Sequence, residues 1–547
     1  MDDSSRNKLM WASFLTLVAS GVGFAVRTAM GGIWGADFNI DGQQFGQIMG
    51  AGFLGFGVMI FFGGILTEKF GYKKLLMAAF ALHLLSGVML FVPRYSPDNA
   101  FTILYWSVFL FSIAQGLYEA VINPLIAQLY PDNKTHYLNI LHAGWPAGMI
   151  LGGLLAAALV GDAAWITNLS YWELPLASFM LLLFVYAFLA FPQEFPETVG
   201  ESSSGNWGLI FSCFASPVFI LLIFLHGCIG YVELGVDSWT TNLMKNLLPN
   251  SILILVYTSF LMFILRFFAG PIVHKINPIG LLFVSSVIGC LGLFWLGTPI
   301  ESVFTIFAAA TFYSLGKAFF WPTMLGVAGE RYPQSGSVAM GALGAAGMLT
   351  VGLIAGEAIG YKQASNASAK LAEISSETFD RYKGGEEKGY LFLPKYAPLA
   401  ANLVATANSS KQLEDSKDYD VAGYFKLLDP TLEELSRTDP EKFEQKMKSG
   451  TASLLAEYEK KISDQKDPES YKQILECIRN ANKDISQVQA ADIYGGRRAL
   501  TLTAYVPAIM AIGFLILMLY FKSIGGYKVL EVAEDGTLRE ATDHHDS

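Results

Sequence analysis

Charged residues are scarce in this chain, and those present are unevenly spread. Asp, Glu, Lys and Arg make up 15% of the 547 residues, whereas soluble domains average about 25%. Segment 361–497 holds 20 basic and 23 acidic residues. The other positions form long apolar runs, and a bilayer span needs about 20 consecutive apolar residues. The sequence therefore predicts an integral, multi-pass membrane protein that carries one polar segment.

Cysteine is also scarce, since the chain has four and only Cys477 lies in the polar segment. That segment therefore has no internal disulfide. No C-x-x-C spacing predicts a metal site, no Walker motif predicts ATP-driven work, and no basic patch predicts nucleic-acid binding. We expect no cofactor, no metal, no nucleic-acid partner and no enzymatic activity.

Apolar runs and polar breaks predict twelve membrane-spanning helices in two groups of six, an all-α polytopic fold. The predicted spans are 10–35, 44–66, 75–93, 102–127, 138–160, 173–191, 215–240, 251–272, 279–297, 302–327, 337–360 and 499–521. The expected organisation is an N-terminal six-helix bundle at 1–191, a cytoplasmic linker at 192–214, helices 7–11 at 215–360, a helical extracytoplasmic insert at 361–497, helix 12 at 498–522 and a cytoplasmic tail at 523–547.

Orientation follows from basic residues in short loops, which favour the cytoplasmic side. With the N-terminus inside, the outer short loops hold only Arg94 and Lys245, while Lys362, Arg497 and Arg498 flank the insert. The inner segments collect Arg6, Lys8, Lys69, Lys73, Lys74, Lys134, Lys275, Arg331, Lys522 and Lys528. We therefore expect both termini to be cytoplasmic, in an inner or plasma membrane, and a monomer.

The two halves repeat each other. "GILTEKFGYKKLL" (64–76) follows span 2 and "GPIVHKINPIGLL" (270–282) follows span 8, so Gly64 matches Gly270 and Lys69 matches Lys275. Parallel halves related by an axis along the membrane normal are typical of transporters, with the substrate site at the interface between them.

The stretch "GGILTEKFGYKK" resembles the inner-loop signature of the major facilitator superfamily, with Tyr72 in place of a usual base. The matching residues are Gly64, Glu68, Lys69, Gly71, Lys73 and Lys74. This resemblance implies the major facilitator fold and a gating role for the motif. Gly64 permits close helix approach, and Glu68 can accept hydrogen bonds from a helix N-terminus or a basic group and lock one state.

A narrower resemblance lies in "GLYEAVINPLIAQLYPDNKTHYLNILHAGWPAGMILGG" (116–153), which is similar to the fucose–galactose–glucose proton symporter family. The matching residues are Glu119, Asn123, Pro124, Leu138, Asn139, Gly148 and Gly152. "GYVELGVDSW" (230–239) resembles the Tyr–Glu–Trp pattern of sugar-transporting relatives. Two features depart from the family: some relatives use a first-helix carboxylate in proton coupling where this helix offers Arg27, and the insert is not part of the pattern.

Polar side chains inside the predicted spans carry the functional hypothesis, because a charge at the bilayer centre costs roughly 3 to 15 kcal/mol and marks a functional site by default. Gln115, Glu119 and Asn123 lie at i, i+4 and i+8 and share one helical face, which we predict to line a wet cavity. We expect Glu119 to be the proton-responsive group and Arg27 to be its partner. The structural alternative is that Glu119 only links helices to each other by hydrogen bonds.

Eight residues form the predicted substrate-binding set: Gln115, Asn123, His142, Trp145, Glu233, Trp239, Lys317 and Trp321. Lys317 should meet an acid, and Glu233 is a candidate. The tryptophans stack on sugar faces in this hypothesis, and helix packing is the alternative. Asp237 is interpreted as interfacial, and Arg266 as a gating or interface residue.

The sequence thus predicts a secondary active transporter that moves a sugar or similar small polar metabolite by alternating access, coupled to protons, with sodium as the other possible ion. One alternative keeps the fold and changes the cargo to a nucleoside, an organic anion or an amphiphile. Another is a non-transporting membrane sensor or scaffold that acts through the outer insert.

Overall fold

The structure is a computed structural model that confirms the all-α polytopic class. It describes residues 2–38, 40, 42–160, 166, 171–202, 206–239, 252–300, 302–413, 418–447, 450–461, 468–532 and 538–540. The predicted outer-loop residue Lys245 lies outside these residues. Within them the only strands are a short antiparallel pair in the C-terminal tail, β1 (Leu530–Val532) and β2 (Leu538–Glu540).

The N-terminal half and the linker are built from eleven α-helices in the described residues. They are α1 (Asp3–Thr28), α2 (Gly31–Phe38), α3 (Gly42–Phe70), α4 (Tyr72–Met89), α5 (Ala100–Leu129), α6 (Lys134–His142), α7 (Gly144–Leu159), α8 (Glu173–Ala177), α9 (Phe179–Ala190), α10 (Val199–Ser202) and α11 (Trp207–Ile210). Pro124 lies inside α5 without ending it.

The C-terminal half follows the same plan. Its helices are α12 (Pro217–Gly230), α13 (Ile252–Arg266), α14 (Ala269–Leu296), α15 (Val303–Lys317), α16 (Phe320–Arg331), α17 (Gly336–Thr350) and, after the insert, α27 (Tyr505–Ser523). Two π-helical turns interrupt it, Tyr231–Gly235 after α12 and Val351–Ala355 after α17.

Eleven helical stretches among the described residues are long and apolar enough to cross a membrane. A twelfth apolar helix, Leu253–Arg266, is shorter, and it lies where the eighth span is predicted. It ends at Arg266 rather than at position 272, and residues 240–251 before it are outside the described part. The count of twelve therefore stays a prediction.

Local sequence determines where the helices break. Ser216 accepts a hydrogen bond from the Phe219 N–H (3.4 Å) with Pro217 in the first turn, so α12 begins there. Within α14, Asn277 has a φ of 55° and precedes Pro278. The Asn277 side chain accepts from the Gly280 N–H at 2.9 Å and caps a new helix. This kink falls inside the repeated segment 270–282, where an inner loop is predicted.

The two halves pack on each other through α3 against α17, α7 against α13 and α6 against α16. A Cβ atom at Gly64 would lie 2.7 Å from the Ser337 carbonyl oxygen. A side chain at position 64 would therefore push α3 and α17 apart. One large cluster of buried apolar residues runs through both halves.

The insert has a hydrophobic core of its own. Its helices are α18 (Gly356–Ile374), α19 (Ser376–Tyr382), α20 (Ala401–Ser409), α21 (Ala422–Leu428), α22 (Pro430–Thr438), α23 (Pro440–Met447), α24 (Thr451–Glu459), α25 (Pro468–Arg479) and α26 (Ala481–Thr503). Arg381 and Asp484 form a bidentate pair in which both contacts are 2.7 Å. Burial raises the pKa of the Cys477 thiol to about 12, so this cysteine stays a thiol at neutral pH.

The insert joins the membrane helices without a loop. α17, the π-turn and α18 form one helical run from Gly336 to Ile374, and α26 runs from Ala481 to Thr503. The expected boundaries at 361 and 497 therefore fall inside helices. α18 and α26 pack together, and the Gln363 amide donates to Asp492 at 3.2 Å. These two helices act as a paired stalk.

Candidate substrate cavity and gate

A cavity lies between the two halves, with an empty volume of about 810 Å³ including the part that opens to solvent. Small-molecule sites have volumes of about 300–1,000 Å³. Seven residues predicted from the sequence line it: Arg27, Gln115, Glu119, His142, Trp145, Glu233 and Trp321. Asp237, Arg266 and apolar side chains such as Phe24 and Phe53 complete the wall. Asn123, Trp239 and Lys317 are not part of this lining.

The polar face of α5 is organised by a short chain of hydrogen bonds. His142 Nε2 lies 2.9 Å from Asn123 Oδ1, and the Asn123 Nδ2 donates to Glu119 Oε2 at 3.4 Å. An amide oxygen only accepts, so His142 carries its proton on Nε2. Asn123 thus positions Glu119 from behind the cavity wall. The Gln115 Nε2 is buried and has no hydrogen-bond partner within the described residues.

The Arg266 side chain forms several hydrogen bonds at the centre of the cavity. Its guanidinium donates to Glu233 Oε1 (2.7 Å), to the Ala318 carbonyl (2.7 Å) and to the His142 carbonyl (2.5 Å). The last of these contacts crosses from one half to the other. The sequence pattern predicts a gating or interface role for Arg266 and does not predict its buried ion pair with Glu233. The reason is that α13 ends at Arg266 and directs this side chain inward. A π-turn at a functional site is a common arrangement, and Glu233 lies in one.

Lys317 does meet an acid, but the predicted partner was wrong. Lys317 forms a buried ion pair with Asp237, and Glu233 forms one with Arg266. Asp237 is therefore not interfacial. The ion pair lies beside the Tyr313 ring, 4.8 Å from the Lys317 ammonium. The π-turn before Asp237 adds a residue to the helix and rotates this part of it, which a regular helical spacing does not anticipate.

Arg27 does not form the predicted pair with Glu119. The side chain is buried, lines the cavity and stacks on Phe111, with 4.4 Å from the guanidinium carbon to the ring centre. Among the described residues it has no ion pair and no hydrogen bond. A buried guanidinium without a counter-ion is costly, so this position is suited to an anionic partner that enters the cavity.

The three predicted stacking tryptophans have different environments. Trp145 and Trp321 line the cavity, and the buried Trp321 Nε1 has no hydrogen-bond partner within the described part of the chain. Trp239 instead packs over Gly356 and Gly360 at the root of the insert. His226 contacts the Trp321 ring (4.5 Å between centroids) from outside the cavity.

Glu68 joins three parts of the chain. Its buried carboxylate accepts from the Gly200 N–H of the linker (2.8 Å) and from the Ser337 N–H at the start of α17 (2.6 Å). A helix N-terminus favours an anion, and the sequence pattern anticipated such an acceptor role. Lys73 Nζ donates to the Gln193 carbonyl at 3.1 Å. Gly71 adopts a φ of 81° at the turn between α3 and α4.

Further contacts join the halves near Glu68. Thr135 donates to Glu330 at 2.6 Å, and Lys134 Nζ donates to the Gly329 carbonyl at 3.1 Å. Tyr527 of the tail donates to the other oxygen of Glu330 at 2.7 Å. We call the set Glu68–Ser337 and Thr135–Glu330 the latch. Lys69 is not part of it; its ammonium lies 5.3 Å from the ring centre of Phe70.

This architecture, two packed helical halves around a polar cavity with a latch on one side, is that of a membrane transporter. The chain matches the family model of the Major Facilitator Superfamily over residues 12–355 and belongs to that superfamily. It is therefore a transporter-family protein and not an enzyme.

Solved structures similar to this chain share its fold at low sequence identity. One is the E. coli proton:xylose symporter XylE bound to 6-bromo-6-deoxy-D-glucose. It is 17% identical with a TM-score of 0.56, and the match covers 64% of this chain and 88% of that chain. FucP in an outward conformation is 16% identical, with a TM-score of 0.53 over 65% of this chain and 92% of that one. A bacterial homologue of the human lysosomal transporter Spinster, inward-facing, is 13% identical, with a TM-score of 0.55 over 94% and 97%. No curated protein matches the sequence.

Proposed function

We propose that this protein is a secondary active transporter that moves a sugar or similar small polar metabolite by alternating access, coupled to protons. The observation that carries the proposal is the cavity between the halves. It combines the buried donors of Gln115 and Trp321, which have no hydrogen-bond partner within the part of the chain that the structure describes, with the indole faces of Trp145 and Trp321. Hydroxyl-rich ligands need such donors, and their apolar faces pack on aromatic rings.

Alternating access is supported by the latch. Its hydrogen bonds join backbone and side chains of both halves, and the cavity lies between the same halves. Breaking a few such bonds would free one end of the interface while α3 and α17 remain in contact elsewhere. We propose that the latch end faces the cytoplasm, with both termini on that side and the insert outside, in agreement with the loop charges.

Proton coupling is assigned to Glu119. This carboxyl lines the cavity, and among the described residues it accepts one long hydrogen bond, from Asn123, while the Trp321 indole and the Arg266 guanidinium lie close by without forming an ion pair with it. Glu233 and Asp237 each form an ion pair with a buried base. Glu119 is thus the cavity acid without a fixed cation among the described residues, and it is free to exchange a proton as the halves move. Arg27 lines the same cavity, and in this proposal it serves as the partner of Glu119 in another state of the cycle.

The first test is an uptake assay with the purified full-length chain in sealed vesicles. A panel of neutral sugars, nucleosides and organic anions is offered with and without an inward proton gradient. We expect gradient-driven accumulation of a sugar. Gradient-driven uptake of no compound in the panel would contradict the proposal and favour the sensor or scaffold alternative.

The second test is Glu119→Gln, which keeps the shape of the side chain and cannot titrate. The variant should lose proton-driven accumulation and keep substrate exchange across the membrane. Glu357→Gln, which removes an exposed acid from α18, serves as the matched control and should leave both unchanged. Accumulation by the Glu119 variant would mean that coupling lies elsewhere, with Glu233 the next candidate.

A second cargo class, an organic anion, is favoured by one observation. Arg27 is a buried cation in the cavity wall with no counter-ion among the described residues. A carboxylate on the substrate would supply this counter-ion and would bind the guanidinium in bidentate geometry. Comparing a hexose with the corresponding hexuronate, in wild type and in Arg27→Gln, separates the two cargoes. An anionic cargo requires that Arg27→Gln weakens binding of the hexuronate much more than binding of the hexose.

A further inference from the structure

An exposed apolar hairpin projects from the insert between Lys388 and Tyr396. These two residues pair in an antiparallel bridge, and the Leu393 N–H donates to the Tyr390 carbonyl at 2.9 Å to close the tip. Leu391 and Phe392 occupy the two central positions of this turn. Leu391 is 76% exposed and Phe392 is 91% exposed. No part of the described protein covers them.

The backbone of this tip is unusual for its sequence. Leu391 has a φ of 51°, a conformation that turns normally assign to Gly or Asn. A non-glycine residue held there is in a strained conformation. The chain thus accepts local strain to present a large apolar side chain to its surroundings. Such an arrangement indicates a function for the exposed side chain.

The position of the tip along the stalk is fixed by three hydrogen bonds. The Ser368 hydroxyl donates to the Ala397 carbonyl, and the Tyr361 hydroxyl donates to the Pro394 carbonyl at 2.7 Å. The Tyr390 hydroxyl donates to the Ile354 carbonyl at 3.4 Å. The three stalk residues in these bonds, Ser368, Tyr361 and Ile354, are spaced seven residues apart along the helical run. Seven helical residues rise by about 10 Å, so the hairpin runs down the helix by about 10 Å from one bond to the next.

By helix length, the tip lies at the level where the apolar, membrane-spanning part of this helical run ends. A hydrocarbon core of about 30 Å takes about 20 helical residues, which counted from Gly336 ends near Gly356. Leu353 and Ile354 are 57% and 44% exposed, as expected of side chains that face lipid. Tyr390 packs against the apolar cluster of the membrane helices rather than against that of the insert.

We propose that the hairpin tip formed by Leu391 and Phe392 inserts into the outer surface of the bilayer and anchors the insert to it. The exposed apolar side chains of Leu353 and Ile354 lie in the π-turn to which Tyr390, next to the tip, is hydrogen-bonded, so the occupant is lipid. The tyrosines beside the tip match the preference of this residue type for the membrane interface. The anchor does not depend on the transported substrate or on the direction of transport.

The charges around the hairpin predict which lipids it needs. Lys388 and Lys395 flank the tip, and Glu386 and Glu387 precede them. These four charges cancel, and the exposed Glu357 near Tyr390 adds one negative charge. Attraction to anionic headgroups therefore contributes little, and burial of apolar area at the headgroup–acyl boundary dominates. The anchor should therefore bind zwitterionic phosphatidylcholine, which has no net charge, as well as it binds mixtures that contain anionic lipid.

The test places an environment-sensitive fluorophore on the tip of the full-length protein in phosphatidylcholine vesicles. The labelled variants are Phe392→Cys and, as a second tip position, Leu391→Cys, in a background without the four native cysteines. Leu413→Cys is the matched control, because Leu413 is also an exposed leucine of the insert (49%). Nitroxide-bearing lipids and aqueous iodide serve as quenchers.

The expected result is several-fold stronger quenching by lipid nitroxide at either tip position than at the control, and the reverse order for iodide. Nitroxides near the headgroups should quench more than those near the chain ends, since such inserted side chains reach about 5–10 Å into the boundary. Equal lipid quenching at tip and control overturns the proposal. Protection of the tip from both quenchers also overturns it, because a protein partner would then cover the tip.

Discussion

Replacing Glu68 by Gln should open the latch. Each carboxylate oxygen of Glu68 accepts one backbone N–H, from Gly200 and from Ser337. A glutamine has one acceptor oxygen, so its amide group would face one of these two donors and leave it unsatisfied. Losing one hydrogen bond to a charged group costs about 1.5–3 kcal/mol. The equilibrium between the latched state and the open state should thus shift by about 10- to 150-fold toward the open state.

The assay is a distance measurement between spin labels on the two halves. Lys74 and Lys275 are exposed residues of the two repeated inner segments, and labels there report the separation of the halves at the latch end. Glu68→Gln should convert a short-distance population into a longer one. Glu194→Gln, an exposed acid of the same linker, is the control. An unchanged distance distribution in the Glu68 variant would refute the reasoning.

Three further predictions follow from other contacts. Gly64→Ala places a Cβ 2.7 Å from a carbonyl oxygen across the interface and should slow transport with little loss of substrate binding. Gly50→Ala is the control, because its Cβ meets nothing within 4 Å, and it should leave the transport rate unchanged. Glu233→Gln leaves Arg266 buried without its counter-ion and should destabilise the protein by about 3–5 kcal/mol, measured by thermal unfolding in detergent; an unchanged melting temperature would contradict this. Tyr527→Phe removes a hydrogen bond to a buried carboxylate of α16 and should weaken the latch by about 1.5–3 kcal/mol, visible as more frequent opening in the spin-label assay; no change would mean that the tail does not contribute.

The all-α membrane class and eleven of the spans were predictable because they depend on local signals. Apolar length determines a span, and the Asn277–Pro278 pair that breaks α14 is visible as a turn signal in the sequence. The lining residues on α5 were also predictable, since i, i+4 spacing places Gln115 and Glu119 on one face. The role of Glu68 required only the knowledge that an inner-loop acid can meet a helix N-terminus.

The ion-pair partners were not predictable for a geometric reason. The π-turn at Tyr231–Gly235 adds one residue to the helical repeat, so the directions of Glu233 and Asp237 do not follow from regular spacing. Arg266 was misjudged because its helix ends earlier than the apolar run suggests. Trp239 was assigned to the cavity by its residue type and by its place in a stretch that resembles sugar-transporting relatives. No sequence signal distinguishes a tryptophan that packs on glycines from one that faces a ligand.

The continuous stalk makes the insert a lever arm. α18 alone is about 28 Å long for its 19 residues, and it follows α17 through the π-turn with no intervening loop. Any rocking of that half is therefore amplified at the far end of the insert, by about 1 Å for every 2° of rotation over this length. A fluorophore or antibody fragment attached to the top of the insert would report each transport cycle from outside the membrane, far from the cavity itself.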